Sequence, residues 1–193
     1  MPIDTGRIEA AVAELLAAIG DDPARAGLVS TPQRVAQAYG EFFAGLDVDP
    51  LEHLAETVDL GPGELGELVL VRDIEFRSIC EHHLLPFLGR AHIAYLPRAK
   101  VTGLGRLARV VDTLASRPQL QERLTEEIAD TIQAGLDPLG VLVVLDAEHQ
   151  CVTSRGPRQS TSSTLTLASR GSLSETRERA EIISLIGGGT RGK

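Results

Sequence analysis

Between Leu68 and Ser78 the apolar positions adopt a two-residue repeat, and no other stretch restricts the fold as much. Leu68, Leu70, Arg72, Ile74, Phe76 and Ser78 share one face while Val69, Val71 and Asp73 take the other. That alternation predicts a half-buried strand ending near Cys80. Residues 88–96 alternate likewise, with Ala91, Ile93 and Tyr95 set against Arg90, His92 and Ala94, and supply a hairpin partner. The period then changes to that of a helix. Leu107, Val110, Val111 and Leu114 share one face of a helix over Leu104–Leu114, and Leu120, Leu124, Ile128 and Ile132 mark a second that starts near Pro118. A β-branched run, Val141–Ala147, and an alternating one, Thr161–Ala168, restore the strand pattern. The order ββααββ predicts an α+β body: an antiparallel four-stranded sheet with two helices on one face. Such a sheet has two open edges, which proteins generally cover or pair with another chain, so an oligomer is expected.

Ahead of this body the repeat is helical. Ile8, Val12, Leu15, Leu16 and Ile19 define one amphipathic helix, with Thr5 as its expected N-cap and Gly20 as its stop. Thr31 as N-cap and Pro32 at the first helical position open a second, which carries Val35, Tyr39, Phe42 and Phe43 and runs to about Gly45. Gly61-Pro62-Gly63 reads as a break. The expected division is therefore a helical appendage over residues 1–63 and a main body over 64–193. Glu175–Ile186 is predicted as a closing helix, and Gly187–Lys193 as a frayed tail.

Aromatic residues make up 3% of the chain and tryptophan is absent, so the core must be aliphatic. A base-stacking platform is not expected, and neither is a nucleic-acid partner. No apolar run approaches the roughly 20 residues that span a bilayer, so a membrane is not expected either. Met1-Pro2-Ile3-Asp4 opens no secretory signal, which places the chain in the cytoplasm. A structural disulfide between Cys80 and Cys151 would be unusual there. Metal binding or catalysis becomes the better account of the two cysteines.

The net charge is −8, but its distribution is uneven. Residues 82–111 hold Arg90, Arg98, Lys100, Arg106 and Arg109 without a carboxylate, and residues 149–174 hold Arg155, Arg158 and Arg170 without one. Strands are poor in Asp and Glu for their own reasons, but strand propensity does not account for the arginines. A concave anion site would.

Cys80-Glu81-His82-His83 and Glu148-His149-Gln150-Cys151 each follow a predicted strand, so two strand-end turns offer sulfur and imidazole, the ligands of Zn²⁺. Cys80 and His83 have a gap that lets both turn to one metal, whereas His82 points elsewhere. With Cys151 they make three protein ligands and leave a fourth position for water, as catalytic zinc requires. His82 and His149 then stand beside the metal, free to handle protons. A closed Cys2His2 zinc knot, or core cysteines with surface histidines, fits the same spacing. Gly103-Leu104-Gly105-Arg106 precedes a predicted helix, where free amides and Arg106 can meet a phosphate. Glu122, early in its helix, complements the helix dipole at the least. His53 and His92 are assigned no role.

Cys80-Glu81-His82-His83-Leu84-Leu85-Pro86-Phe87, Gln121-Glu122-Arg123-Leu124-Thr125 and His149-Gln150-Cys151 together closely resemble the zinc-dependent GTP cyclohydrolase I family. Gly20-Asp21-Asp22-Pro23, Thr31-Pro32-Gln33-Arg34-Val35, Ala91-His92-Ile93-Ala94-Tyr95-Leu96-Pro97 and Arg155-Gly156-Pro157-Arg158 extend the resemblance, in family order, over nearly the whole chain. It implies a tunnel fold, with subunits joined edge to edge into a β-barrel, two pentamers stacked as a homodecamer, and active sites between subunits. It implies Zn²⁺ on Cys80, His83 and Cys151, and proton transfer by His82 and His149. Glu122, with Gln121 beside it, matches the position that grips guanine. Arg34, Arg106, Arg109 and Arg155, with Leu104 and Gly105 at the helix start, match or adjoin the triphosphate-binding positions. The implied reaction attacks C8 of GTP with a zinc-activated water, releases formate, and rearranges the ribose to give 7,8-dihydroneopterin triphosphate for folate or pterin synthesis.

The family usually has Ser-Lys where this chain has Gly105-Arg106. Arginine keeps the charge and gains a bidentate fork, but the serine hydroxyl is lost. GTP is still the expected substrate, with phosphate contacts made partly by backbone. Two other readings are a paralogue using the same ring opening in a specialised deazapurine or pterin pathway, and a non-catalytic oligomeric binding protein with a structural zinc.

Overall fold

A computed structural model describes residues 2–61, 64 and 66–187. Its elements are α1 (Thr5–Ala18), α2 (Thr31–Phe42), a 3₁₀ turn (Pro50–Leu54), β1 (Thr57–Asp59), β2 (Val69–Cys80), β3 (Pro86–Leu96), β4 (Lys100–Thr102) and α3 (Leu104–Ala115). They continue as β5 (Pro118–Gln119), α4 (Gln121–Leu136), β6 (Gly140–His149), α5 (Gln150–Thr153), β7 (Thr164–Gly171), a second 3₁₀ turn (Ser172–Ser174) and α6 (Thr176–Gly187). The main sheet has the order β5-β2-β3-β6-β7, and β2, β3, β6 and β7 are antiparallel neighbours throughout. The expected ββααββ body is present.

Helices α3 and α4 cover one face. Leu107, Val110, Val111 and Leu114 of α3, and Leu124, Ile128 and Ile132 of α4, are sealed against Phe76, Phe87, Ile93, Tyr95, Val143 and Leu145 of the sheet. Each such side chain contributes roughly 1.5–3 kcal/mol on burial, so this layer dominates the stability of the fold. The opposite face has a smaller cluster, in which Ala94, Leu142 and Val144 pack with Leu173 and Ile182 of the closing segment. Gly89 of β3 permits close approach to β6, since a Cβ there would collide with the Asp146 carbonyl and would lie 2.6 Å from the Ala147 Cβ.

Several details depart from the sequence expectations. The alternation in β2 does not run unbroken, because a register shift between Val71 and Ile74 puts Asp73 at φ 58° and exchanges the two faces. Val69 and Val71 before the bulge therefore join Ile74 and Phe76 after it on the helix side, while Leu70 packs on the other side. Pro118–Gln119 forms a short parallel strand on Ile79–Cys80 instead of starting α4, which begins at Gln121. Thr57–Asp59 pairs with Lys100–Thr102 in a separate two-stranded sheet. Asp4, not Thr5, caps α1, accepting the Arg7 N–H at 3.0 Å. The second helix includes Thr31, with Ser30 at the N-cap position, and stops at Phe42. The last strand begins at Thr164, three residues late. Of the predicted break, Pro62 and Gly63 lie outside the described residues, as does the predicted tail after Gly187.

Candidate active site at the strand ends

The C-terminal ends of β2 and β6 meet. Phe87, the second residue of β3, is the register partner of His149, and Pro86 is the partner of Ile79. The link from β2 to β3 closes on itself, because the Leu84 N–H donates to the Cys80 carbonyl at 2.9 Å and the Cys80 N–H to that of Leu85 at 2.9 Å. Leu84 adopts φ 52°, the left-handed conformation that lets the chain reverse here. The Glu81 N–H donates to the Gln119 carbonyl at 3.1 Å, and the Glu81 carboxylate accepts from Arg123 of α4 at 2.9 and 2.8 Å. The turn is therefore fastened to α4 by backbone and side chain.

Cys80 is buried, Cys151 half-buried and His83 exposed, and their ligand atoms all lie within 4.8 Å of one another. Tetrahedral zinc with bonds of about 2.3 Å to sulfur holds its ligand atoms roughly 3.8 Å apart, so small rotations close the trio on an ion. Burial and the neighbouring Cys80 thiol push the Cys151 thiol up, with Arg155 acting the other way. A divalent cation between the sulfurs reverses that repulsion. The donor set therefore fits a metal. His82 is exposed and stands edge-on to His83, with ring centroids 6.2 Å apart, so it adjoins the trio without joining it.

His149 ends β6 and is held on two sides. Its ring stacks on Phe87 at 4.7 Å with an interplanar angle of 6°, and its Nε2 lies 2.7 Å from Gln121 Oε1. Burial pushes its pKa below the ordinary imidazole range, and the nearby Glu122 carboxylate pulls it upward. Glu122 itself is exposed at the start of α4. The Gln121 side chain faces inward, and the residue as a whole is 1% exposed.

One end of the sheet thus gathers Cys80, His83, Cys151, His82, His149, Gln121, Glu122 and Arg155. The remaining predicted residues lie elsewhere. Leu104, Gly105, Arg106 and Arg109 occupy the start of α3, which follows β4 where Thr102 N–H meets the Tyr95 hydroxyl at 3.5 Å. Tyr95 is eight positions along β3 from Phe87, or about 27 Å at some 3.4 Å per residue. Arg106 is tied to Glu56 by an ion pair and donates to the His53 carbonyl at 3.2 Å. Arg109 is exposed one turn further on, and Arg34 is exposed on α2. His53 bonds Thr113 at 2.8 Å and His92 accepts the Asp73 N–H at 3.2 Å, both packing roles. A cavity of about 1290 Å³ opens on the far face of the sheet beside Arg72, Arg90, His92 and Ile186, and none of the predicted site residues borders it.

Sequence reasoning did not find Phe87 as the platform for His149, the Arg123 clamp on Glu81, or Glu56 as the partner of Arg106. The register of β3 on β6 could have found the first. The others join elements with no shared sequence signal.

The fold and site define a class: an α+β chain whose antiparallel sheet presents a sulfur and imidazole group, able to hold a metal, at its strand ends. The family model described as GTP cyclohydrolase I matches residues 8–187. GTP cyclohydrolase 1 of Leifsonia xyli subsp. xyli is 63% identical over 186 residues, covering 96% of this chain and 97% of that protein. That of Carboxydothermus hydrogenoformans is 55% identical over 187 residues, with 96% of each covered. A solved structure of an archaeosine synthase QueF-Like in the apo form aligns with a TM-score of 0.46 and 19% identity, over 58% of this chain and 97% of that one. The chain belongs to the GTP cyclohydrolase I family and is an enzyme of it. Among the described residues no helix is long and apolar enough to cross a membrane.

Proposed function

We propose that this enzyme converts GTP and water to formate and 7,8-dihydroneopterin triphosphate, the opening step of tetrahydrofolate or pterin synthesis, as a zinc-dependent cytoplasmic homodecamer. The observation that carries the reading is the gathering of Cys80, His83 and Cys151 beside His149 and Glu122. Cys80, His83 and Cys151 would hold the ion. When bound, zinc supplies Lewis acidity that lowers the pKa of water toward about 7. Glu122 accepts from the adjacent ring N–H and exocyclic amine of guanine, which fixes the purine. His149 handles the proton at N7 as the imidazole ring opens, and His82 acts as an acid when the ribose opens.

The triphosphate falls to Arg34, Arg106, Arg109 and Arg155 and to the amides of Leu104 and Gly105 at the start of α3. The span along β3 puts that helix start out of reach of the metal group in the same chain. A site that uses both ends needs two subunits, the second presenting its α3 start to the first's strand ends. Open edges support such assembly. β7 borders the sheet with Leu165 58% and Leu167 39% exposed, and β2 is covered by β5 only at Ile79–Cys80. The proposal divides the chain into a helical region over 1–63 and a catalytic unit over 64–193. Its support is the packing of α1 on α2, while the 3₁₀ turn at Pro50–Leu54 and the pairing of β1 with β4 join the two regions.

The test is incubation of zinc-loaded protein with GTP while following formate and the fluorescence of the oxidised pterin. Both signals are expected. Neither signal, with zinc confirmed bound, rejects the reading, and formate alone confines the activity to ring opening. Gly105 gives a second measurement. A Cβ there meets nothing within 4 Å, so Gly105→Ser adds a hydroxyl without a clash. One new hydrogen bond of about 0.5–1.5 kcal/mol lowers the KM for GTP roughly 2- to 10-fold and leaves kcat in place. An unchanged KM would show that backbone and arginine already saturate this phosphate contact.

A further inference from the structure

Gln121 lies at the first position of α4, yet its side chain runs inward to the space between β6 and β7. Its Nε2 has three acceptors: the Leu145 carbonyl at 3.2 Å, the Thr164 carbonyl at 2.8 Å and Thr166 Oγ1 at 3.1 Å. Turning the amide over would set its oxygen against two carbonyl oxygens, so the orientation is determined by chemistry. The hydroxyls agree with it. Thr125 Oγ1 donates its only hydrogen to the Gln121 carbonyl at 2.7 Å, so the 2.6 Å contact between Thr125 and Thr166 needs the Thr166 hydrogen. Thr166 Oγ1 is then left to accept from Gln121. Gln121 and Thr125 are each 1% exposed, so water does not compete for these bonds.

The consequence reaches His149. Gln121 Oε1 is an acceptor 2.7 Å from His149 Nε2, and an acceptor there requires the imidazole hydrogen on Nε2. The Phe87 stack at 4.7 Å fixes the plane of the ring, leaving one remaining freedom, the choice of tautomer. Among the described residues Nδ1 makes no hydrogen bond. We propose that Gln121 is a positioning residue that holds the His149 ring in one orientation as its Nε2–H tautomer, leaving Nδ1 as the nitrogen without a protein partner among the described residues. The role rests on the GTP reading above and deepens it. Gln121 touches no substrate with its side chain. It acts through the histidine, as a partner behind a functional imidazole commonly does.

Two experiments decide it. ¹⁵N NMR of histidine-labelled protein, at a pH well above the ordinary imidazole range and with His149 assigned by comparison with H149Q, reads the tautomer directly. The expected result is a protonated Nε2 and a bare Nδ1, and a hydrogen on Nδ1 overturns the proposal whatever the substrate is. The second compares Gln121→Met with Gln121→Glu. The methionine variant removes the acceptor and is expected to lose about 10- to 100-fold in kcat, with KM for GTP and bound zinc near wild type. The glutamate variant keeps an oxygen against Nε2, and its protonated form can donate to the Thr164 carbonyl, so kcat recovers much of the loss. Equal losses in both variants, or a loss confined to KM or to metal content, reduce Gln121 to a packing residue. A wild type that releases no formate from GTP fails the parent reading instead, and the NMR result still stands on its own.

Discussion

Cys151→Ala is expected to strip the metal and cut formate release from GTP by a thousandfold or more, about the several kcal/mol that a Lewis-acid metal supplies. Cys151 contributes little else. It sits in the four-residue α5, half-buried at the rim of the helix-side core, so a smaller side chain leaves the layer of α3, α4 and sheet intact. Cys80 and His83 alone are two ligands on one tight turn and do not complete a catalytic zinc site. Metal content after dialysis, read beside the thermal unfolding curve, checks the claim. Wild-type zinc stoichiometry in a folded C151A protein would remove this cysteine from the ligand set, and a collapse of folding would make it structural.

His149→Gln is expected to lower kcat by about 10²- to 10⁴-fold, the usual contribution of a positioned acid or base, while the zinc stays bound. Glutamine retains a side-chain N–H for Gln121 Oε1, so the buried polar chain behind it keeps its partner. What disappears is a nitrogen able to take and return a proton. The pairing of full metal occupancy with lost turnover separates this variant from C151A. Turnover within a few fold of wild type would sink the assignment of His149 to proton transfer.

Much of this was legible in the sequence because the controlling signals are local. Period two marks the strands and period 3.6 marks α3 and α4, since each records which face of one element is buried. The spacing in Cys80-Glu81-His82-His83 works the same way, because a single turn sets which side chains converge. Non-local facts were not legible. Asp73 shifts the β2 register through a bulge that no neighbouring residue announces, so the even-numbered positions were assigned to one face throughout. The resemblance sets Gln121 beside Glu122 at the guanine position, and nothing in the sequence shows that three acceptors from β6 and β7 draw its side chain inward. The distance between the start of α3 and the metal group depends on how β3 runs. Residues adjacent in a motif list thereby become opposite ends of a sheet.

The turn from Cys80 to Leu85 bears on how such an enzyme matures. Its shape is set by its own backbone bonds and by the Arg123 grip on Glu81, none of which involves a ligand atom. In small zinc domains binding and folding are one event, and a cell short of the ion is left with unfolded chain. Under the proposed zinc reading the ion would instead join a turn already fastened by protein–protein bonds. Chelation is then expected to leave a folded chain that regains activity when zinc is returned, without any need to make the protein again.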